Sequence, residues 1–236
     1  MKKRILSALL ALVLVLGSMP QASRAWNGAA TMEPQVDGGV YQIGSAKELA
    51  WFRDHVNSGN FAAKAALTED IDLQGNAWLP IGSIGDGYVT TYYSGTFDGQ
   101  GHAIYGLSIN AGYNHAGFFG YVKDSAYIKN LRIEQASIES SANNVGGIVG
   151  TFANGTIENC SFSGSVTNSK SSTGYAGGSV GYTGLSKDTL PPIKACATFG
   201  AISGPYAGVI TGDSKFSAPI ECSYNSGSVT GAPLAG

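Results

Sequence analysis

The residues of this chain whose types and spacing could do chemistry are a few acids, three histidines, three cysteines and a tyrosine cluster. Asp70 and Asp72 stand two apart, so on a strand both face one side. Paired carboxylates of that kind can serve glycoside hydrolysis or bind Ca²⁺. The other acids are scattered, and no Arg–Asp pair recurs at a fixed interval, so a solvated strand face with turn-capping aspartates is the expectation. Asp98-Gly99-Gln100-Gly101-His102 reads first as a turn and only secondarily as an Asp/His pair. His55, His102 and His115 stand far apart and do not make a metal motif, and no cofactor signature is present. The segment Gly85 to Tyr93 carries Tyr88, Tyr92 and Tyr93 among polar residues. Exposed rings of this kind could stack on sugars or meet a protein, or fold back over their own sheet. Tyr175 and Tyr206 each come just before a repeated string and are expected to pack at a corner rather than form a binding stripe.

The elements that must position these groups come from a repeat. Gly117-Phe118-Phe119-Gly120 returns as Gly147-Ile148-Val149-Gly150, as Gly178-Ser179-Val180-Gly181 and, less faithfully, as Gly208-Val209-Ile210-Thr211-Gly212. The closing glycines are 30, 31 and 31 residues apart. A second string follows each: Ile128-Lys129-Asn130-Leu131, Ile157-Glu158-Asn159-Cys160, Ile193-Lys194-Ala195-Cys196 and Ile220-Glu221-Cys222. A third closes the unit, as in Ala136-Ser137-Ile138 and Gly164-Ser165-Val166-Thr167. Three strand-like pieces per thirty residues are too few for a propeller blade and cannot bury a face alone. Stacked as coils, they put like residues over like residues, which predicts an all-β, right-handed parallel β-helix (a solenoid). Leu131, Cys160, Cys196 and Cys222 then fall at equivalent positions, an interior ladder of small hydrophobes. A disulfide between neighbouring rungs, such as Cys160–Cys196, is the alternative.

Before the repeats, Ser45-Ala46-Lys47-Glu48 is a capping box, followed by Leu49, Trp51, Phe52 and Val56 at helical spacing, with Gly59 as the stop. Solenoid ends expose a raw core, so this short helix is the expected N-terminal cap. The chain opens with Met1-Lys2-Lys3-Arg4, an apolar run from Ile5 to Leu16 and a small-residue site at Ser23-Arg24-Ala25. That order reads as a signal peptide cleaved between Ala25 and Trp26, leading to the cell surface or beyond. The run is too short to span a bilayer, and no membrane span is expected in the mature chain. Four basic residues and no acid lie in residues 1–25, leaving 10 Lys+Arg against 16 Asp+Glu and a net charge of −6. An acidic chain repels phosphate backbones, so no nucleic acid is expected as partner. The expected organisation is a leader at 1–25, a segment with the capping helix at 26–60, first coils at 61–114 and regular repeats at 115–236. Ala235-Gly236 reopens the pattern, so a longer repeat protein is expected.

Taken together, the Gly-x-x-Gly, Ile-x-Asn-(Leu/Cys) and Gly-Ser-Val-Thr strings resemble the GLUG repeat of bacterial surface proteins. The resemblance covers roughly residues 40 to 236, including Trp78-Leu79-Pro80-Ile81-Gly82 and Tyr93-Ser94-Gly95-Thr96-Phe97-Asp98-Gly99. It implies a β-helix on an exported, adhesin-like protein, contacting glycans or proteins. Such repeats also accompany zinc peptidase domains that cleave immunoglobulin A, but no His-Glu-x-x-His is present here. The reading is therefore a non-enzymatic stalk or adhesive region. Two alternatives stand beside it: a secreted polysaccharide-degrading β-helix, and a non-catalytic segment of a larger peptidase.

Overall fold

A computed structural model describes residues 26–82, 91–141, 143–183, 192–214 and 219–231. The leader, Tyr88 and most of the 186–192 insertion lie outside the described residues.

The chain is a right-handed parallel β-helix of about five turns, with about 29 residues per turn. One sheet stacks Val40–Ile43, Lys64–Leu67, Thr96–Asp98, Ala126–Lys129, Gly155–Glu158, Ile193–Lys194 and Ile220–Glu221, all parallel. Its inward ladder runs Ala65, Phe97, Ile128, Ile157, Ile193, each buried. A second sheet is centred on the long strands Arg132–Ser140, Ser161–Asn168 and Ala197–Gly204, whose inward residues include Ile138, Val166 and Ile202. The third side holds two four-stranded ladders. His115–Ala116, Asn144–Gly146, Tyr175–Gly177 and Tyr206–Gly208 form one; Phe119–Val122, Val149–Phe152, Val180–Thr183 and Thr211–Ser214 form the other.

The Gly-x-x-Gly string is thus a corner between two strands, not one strand, and each regular coil has four pieces rather than three. The reason is steric. A Cβ at Gly147 would stand 2.2 Å from the Gly178 carbonyl oxygen and 2.3 Å from the Phe162 ring. One at Gly178 would meet the Val209 oxygen at 2.1 Å. Only glycine lets successive corners nest this closely. At the opposite corner, Asn130 and Asn159 take left-handed backbone (φ 52° and 51°), which asparagine tolerates. Their side chains form a ladder: Asn159 Nδ2 donates to Asn130 Oδ1 at 2.8 Å, and Asn130 Nδ2 to Asp98 Oδ1 at 2.9 Å.

The cysteine ladder needs a correction. Leu131, Cys160 and Cys196 do stack inside, all buried. Cys222 does not join them. Ile220 pairs with Ile193 and Glu221 with Lys194, so Cys222 aligns with Ala195 at the left-handed corner, with φ 49°, and is exposed. The register runs on unbroken to Tyr224 opposite Ala197, so the cysteine stands one place early and Ser223 takes the rung, its hydroxyl accepting from Cys196 N at 3.2 Å. All three thiols are free.

The N-terminal end is sealed twice. Gln35–Asp37 pairs antiparallel with Val40–Ile43 through Gly38-Gly39, both at positive φ, as a tight hairpin of this twist requires. Helix Ala46–Asn57 then bridges the parallel strands Val40–Ile43 and Lys64–Leu67. Ser45 Oγ accepts the Glu48 N–H, while the Glu48 carboxylate takes the Gly44 N–H at 2.9 Å, one residue earlier than in the usual capping box. Leu49, Phe52 and Val56 are buried, whereas Trp51 lies at the flank against Tyr41 and His55. Phe52 meets Tyr93 and Phe97 edge-on or tilted, carrying the helix onto an aromatic core in which Trp78 stacks on Phe118 and Tyr93 on Phe119. Toward the later coils the interior turns polar, with Ser179, Thr183 and Thr198 buried. No described helix is long and apolar enough to cross a membrane.

Candidate functional site: an aromatic stripe on the third side

Asp72 and Asp98 cap their own turns, whereas Asp70 reaches across to the next coil. Asp72 Oδ1 accepts the Gln74 N–H at 2.7 Å, and Asp70 Oδ1 accepts the Ala103 N–H at 2.8 Å and faces His102 Nδ1 at 3.3 Å. Asp98 takes the Gln100 N–H at 2.9 Å and pairs with Lys129 at 3.2 Å. Partial burial works against its charged form, but the hydrogen bonds from Asn130, Gln100 and Lys129 prevail and hold its carboxyl below the usual carboxylate range. His102 therefore belongs with Asp70 rather than Asp98. Among the described residues no three His, Cys, Asp or Glu side chains converge as a metal site would require.

The tyrosines separate. Tyr93 is a core residue, fully buried, stacked on Phe119 with its hydroxyl donating to the Ala63 carbonyl at 3.0 Å. It offers no face to a ligand, because the strand alternation that exposes Tyr92 turns Tyr93 inward. Tyr92 is half-buried, lies against Phe61 with centroids 4.4 Å apart, and carries Lys123 Nζ over its ring at 3.9 Å.

Tyr92 opens a longer feature. Tyr93 bridges to Val122, so Tyr92 sits on the rung beside Tyr121. From there the outward ladder runs Tyr121, Thr151, Tyr182, Asp213. The adjoining strand ladder supplies a parallel outward row: His115, Asn144, Tyr175, Tyr206. The rows touch. His115 stacks on Tyr121 (5.4 Å), and Tyr175 lies tilted against Tyr182 (5.2 Å) and against Tyr206 of the next rung (5.3 Å). Tyr175 and Tyr206 thus belong to a stripe, contrary to the corner-packing expectation. A spacing of about 31 residues puts tyrosines on successive rungs; what the sequence hides is that two rows lie side by side.

Between the two aromatic stretches lies a polar relay. Asn144 Nδ2 donates to Thr151 Oγ1 at 2.6 Å, and Thr151 Oγ1 is 2.7 Å from His115 Nδ1. The threonine hydroxyl can donate to Nδ1 or accept from it, and either way Nδ1 is engaged inside the protein. Burial pushes His115 below the ordinary histidine pKa, so the ring is neutral at pH 7. Burial, then the Asp213 charge, raises the phenols of Tyr175 and Tyr182.

The coil that holds Asn144, Thr151 and their strands coincides with a family match. The GLUG motif matches residues 141–167, one full turn of the solenoid from the Asn144 strand to the Ser161 strand. The chain carries the GLUG motif. Over 75 residues, 31% of its length, it is 45% identical to halomucin of Haloquadratum walsbyi. It also resembles the crystal structure of a Bacteroides ovatus protein assigned as an immunoglobulin A1 protease: TM-score 0.68, 24% identity, 85% of this chain covered. The chain spans 62% of that solved chain and 1% of halomucin. At that identity the likeness speaks for the fold. In this GLUG solenoid the rungs above and below the matched turn repeat its register, and the stripe runs across all of them.

Proposed function

We propose that this GLUG-repeat chain is exported and works at the cell surface, or outside the cell, as a non-catalytic stalk or adhesive region that contacts glycans or proteins. The observation that carries the reading is the stripe. A solenoid needs an inward ladder for stability, but nothing in folding requires partly exposed rings on four of five stacked rungs. Tyr92 is the residue expected to bind that lies on this stripe, and Tyr93 supports it from within. The basic and apolar order of residues 1–25 supports export. Removal of the leader would make Trp26, which is buried against Trp78 with its Nε1 donating to the Ala30 carbonyl, the first residue of the mature chain.

The test expresses the full chain with its leader, sequences the N-terminus of the secreted product, and applies that product to immobilised glycans and proteins. An N-terminus at Trp26 together with saturable binding supports the proposal. Retention in the cytoplasm, or cleavage of a glycan or protein by the product, contradicts it. A second reading, a non-catalytic segment of a larger peptidase, is favoured by the fold shared with the Bacteroides ovatus protein. A continuous transcript running into a His-Glu-x-x-His domain would decide for it.

A further inference from the structure

We infer that the ligand of the stripe is a neutral polysaccharide, laid along the solenoid axis; this rests on the binding reading above and names its ligand class. Shape speaks for it first. From the Tyr92 rung to the Tyr206 rung is four coil spacings, roughly 19 Å, and the stripe is two side-chain rows wide, about 10 Å. That long, narrow footprint has the proportions of an extended chain rather than of a broad protein–protein contact. A linear chain, one residue wide, matches it.

Chemistry points the same way. Rings alternate along the stripe with polar rungs: His115/Tyr121, then Asn144 over the buried Thr151, then Tyr175/Tyr182, then Tyr206/Asp213. Sugar rings present apolar C–H faces and hydroxyl edges, and this alternation serves both. The His115 imidazole adds a polar group that carries no charge at pH 7.

Two other small-ligand classes fit less well. Among the described residues a polyanion would find one cation on the stripe, Lys123, which is placed over the Tyr92 ring, and Asp213 at the other end. A quaternary ammonium needs a gap among ring faces. Here Tyr175, Tyr182 and Tyr206 fill that space themselves, with centroids 5.2 and 5.3 Å apart, and make a platform instead of a cage.

The experiment is native gel electrophoresis of the secreted protein through soluble β-glucan, xylan, galactomannan and dextran, with alginate as the polyanion. At least one neutral polymer should retard the wild type. Tyr206→Ala, at a ring 43% exposed and so removable without unfolding, should weaken that retardation about tenfold, and Tyr175→Ala similarly. Tyr175→Phe should keep it within about twofold, and Tyr224→Ala, off the stripe, should leave it unchanged. Circular dichroism confirms that each variant is folded. Retardation by alginate alone, or by none of the polymers, overturns the ligand class. If the protein still binds immobilised deglycosylated protein in that case, the binding reading survives without the polysaccharide. Retardation that folded Tyr175→Ala and Tyr206→Ala retain in full overturns the site while leaving the binding reading intact.

Discussion

Cys160 and Cys196 stand buried on neighbouring rungs, each thiol directed at a backbone carbonyl 3.3 Å away, whereas Cys222 is displaced to an exposed corner. Burial pushes the Cys160 thiol well up, so it is also chemically quiet. In the folded, reduced protein a thiol reagent should therefore label one cysteine of the three, at Cys222, and the other two only after urea is added; rapid labelling of two or more in the native state would refute the rung assignment. At the same scale, His115 is neutral because it is buried, while in the unfolded chain it titrates near its ordinary 6.5. As pH falls through 6.5 the unfolded chain takes up the proton first, so stability present above that pH is lost as the solution acidifies. Urea midpoints measured from pH 7.5 down to 5 should fall less steeply in His115→Gln than in the wild type. Identical slopes would mean that the imidazole is solvated.

At the scale of elements, what holds one coil on the next is the nesting of glycine corners. Gly147→Ala forces a Cβ into the Gly178 carbonyl and the Phe162 ring, neither of which can give way without moving a neighbouring coil. The expected cost is about 1–3 kcal/mol, read as a lower denaturant midpoint. Gly231→Ala, with nothing within 4 Å, should leave the midpoint unchanged. The sequence shows where the coils repeat, because glycines that return at intervals of 30, 31 and 31 residues mark a place in each coil where no side chain fits. The capping helix is equally legible from Ser45, Glu48 and the Leu49–Phe52–Val56 spacing. What is not legible is whether a string of four residues is a strand or a bend, since both alternate apolar residues with small ones. Nor is a one-place shift of the cysteine visible: Ile220-Glu221-Cys222 looks like Ile193-Lys194-Ala195-Cys196 with cysteine kept in place, and only the pairing of Glu221 with Lys194 and of Tyr224 with Ala197 sets Cys222 opposite Ala195.

On the scale of the whole molecule, the solenoid turns local tyrosines into one surface. Inward ladders of Ile, Val and Phe fix the rungs, and every outward residue at a given register then lines up with its counterparts. The sequence offers Tyr92 as a candidate, but it cannot say which tyrosines share its face, because Tyr121, Tyr175, Tyr182 and Tyr206 belong to four separate strands. For the same reason Tyr93 looks like a ligand group until its strand phase is known. The last described coil leaves Ile220 and Val229, which hold buried ladder positions in earlier coils, 44% and 41% exposed.

The central claim is that one ligand covers the stripe as a unit. Hydroxyl-radical footprinting of the secreted protein, free and bound to the neutral polysaccharide that retards it, measures this directly. The predicted result is joint protection of Tyr92, Tyr121, Tyr175, Tyr182 and Tyr206, with Tyr224, 60% exposed and off the stripe, unchanged. Protection of Tyr224 with the five stripe tyrosines unaffected would contradict it.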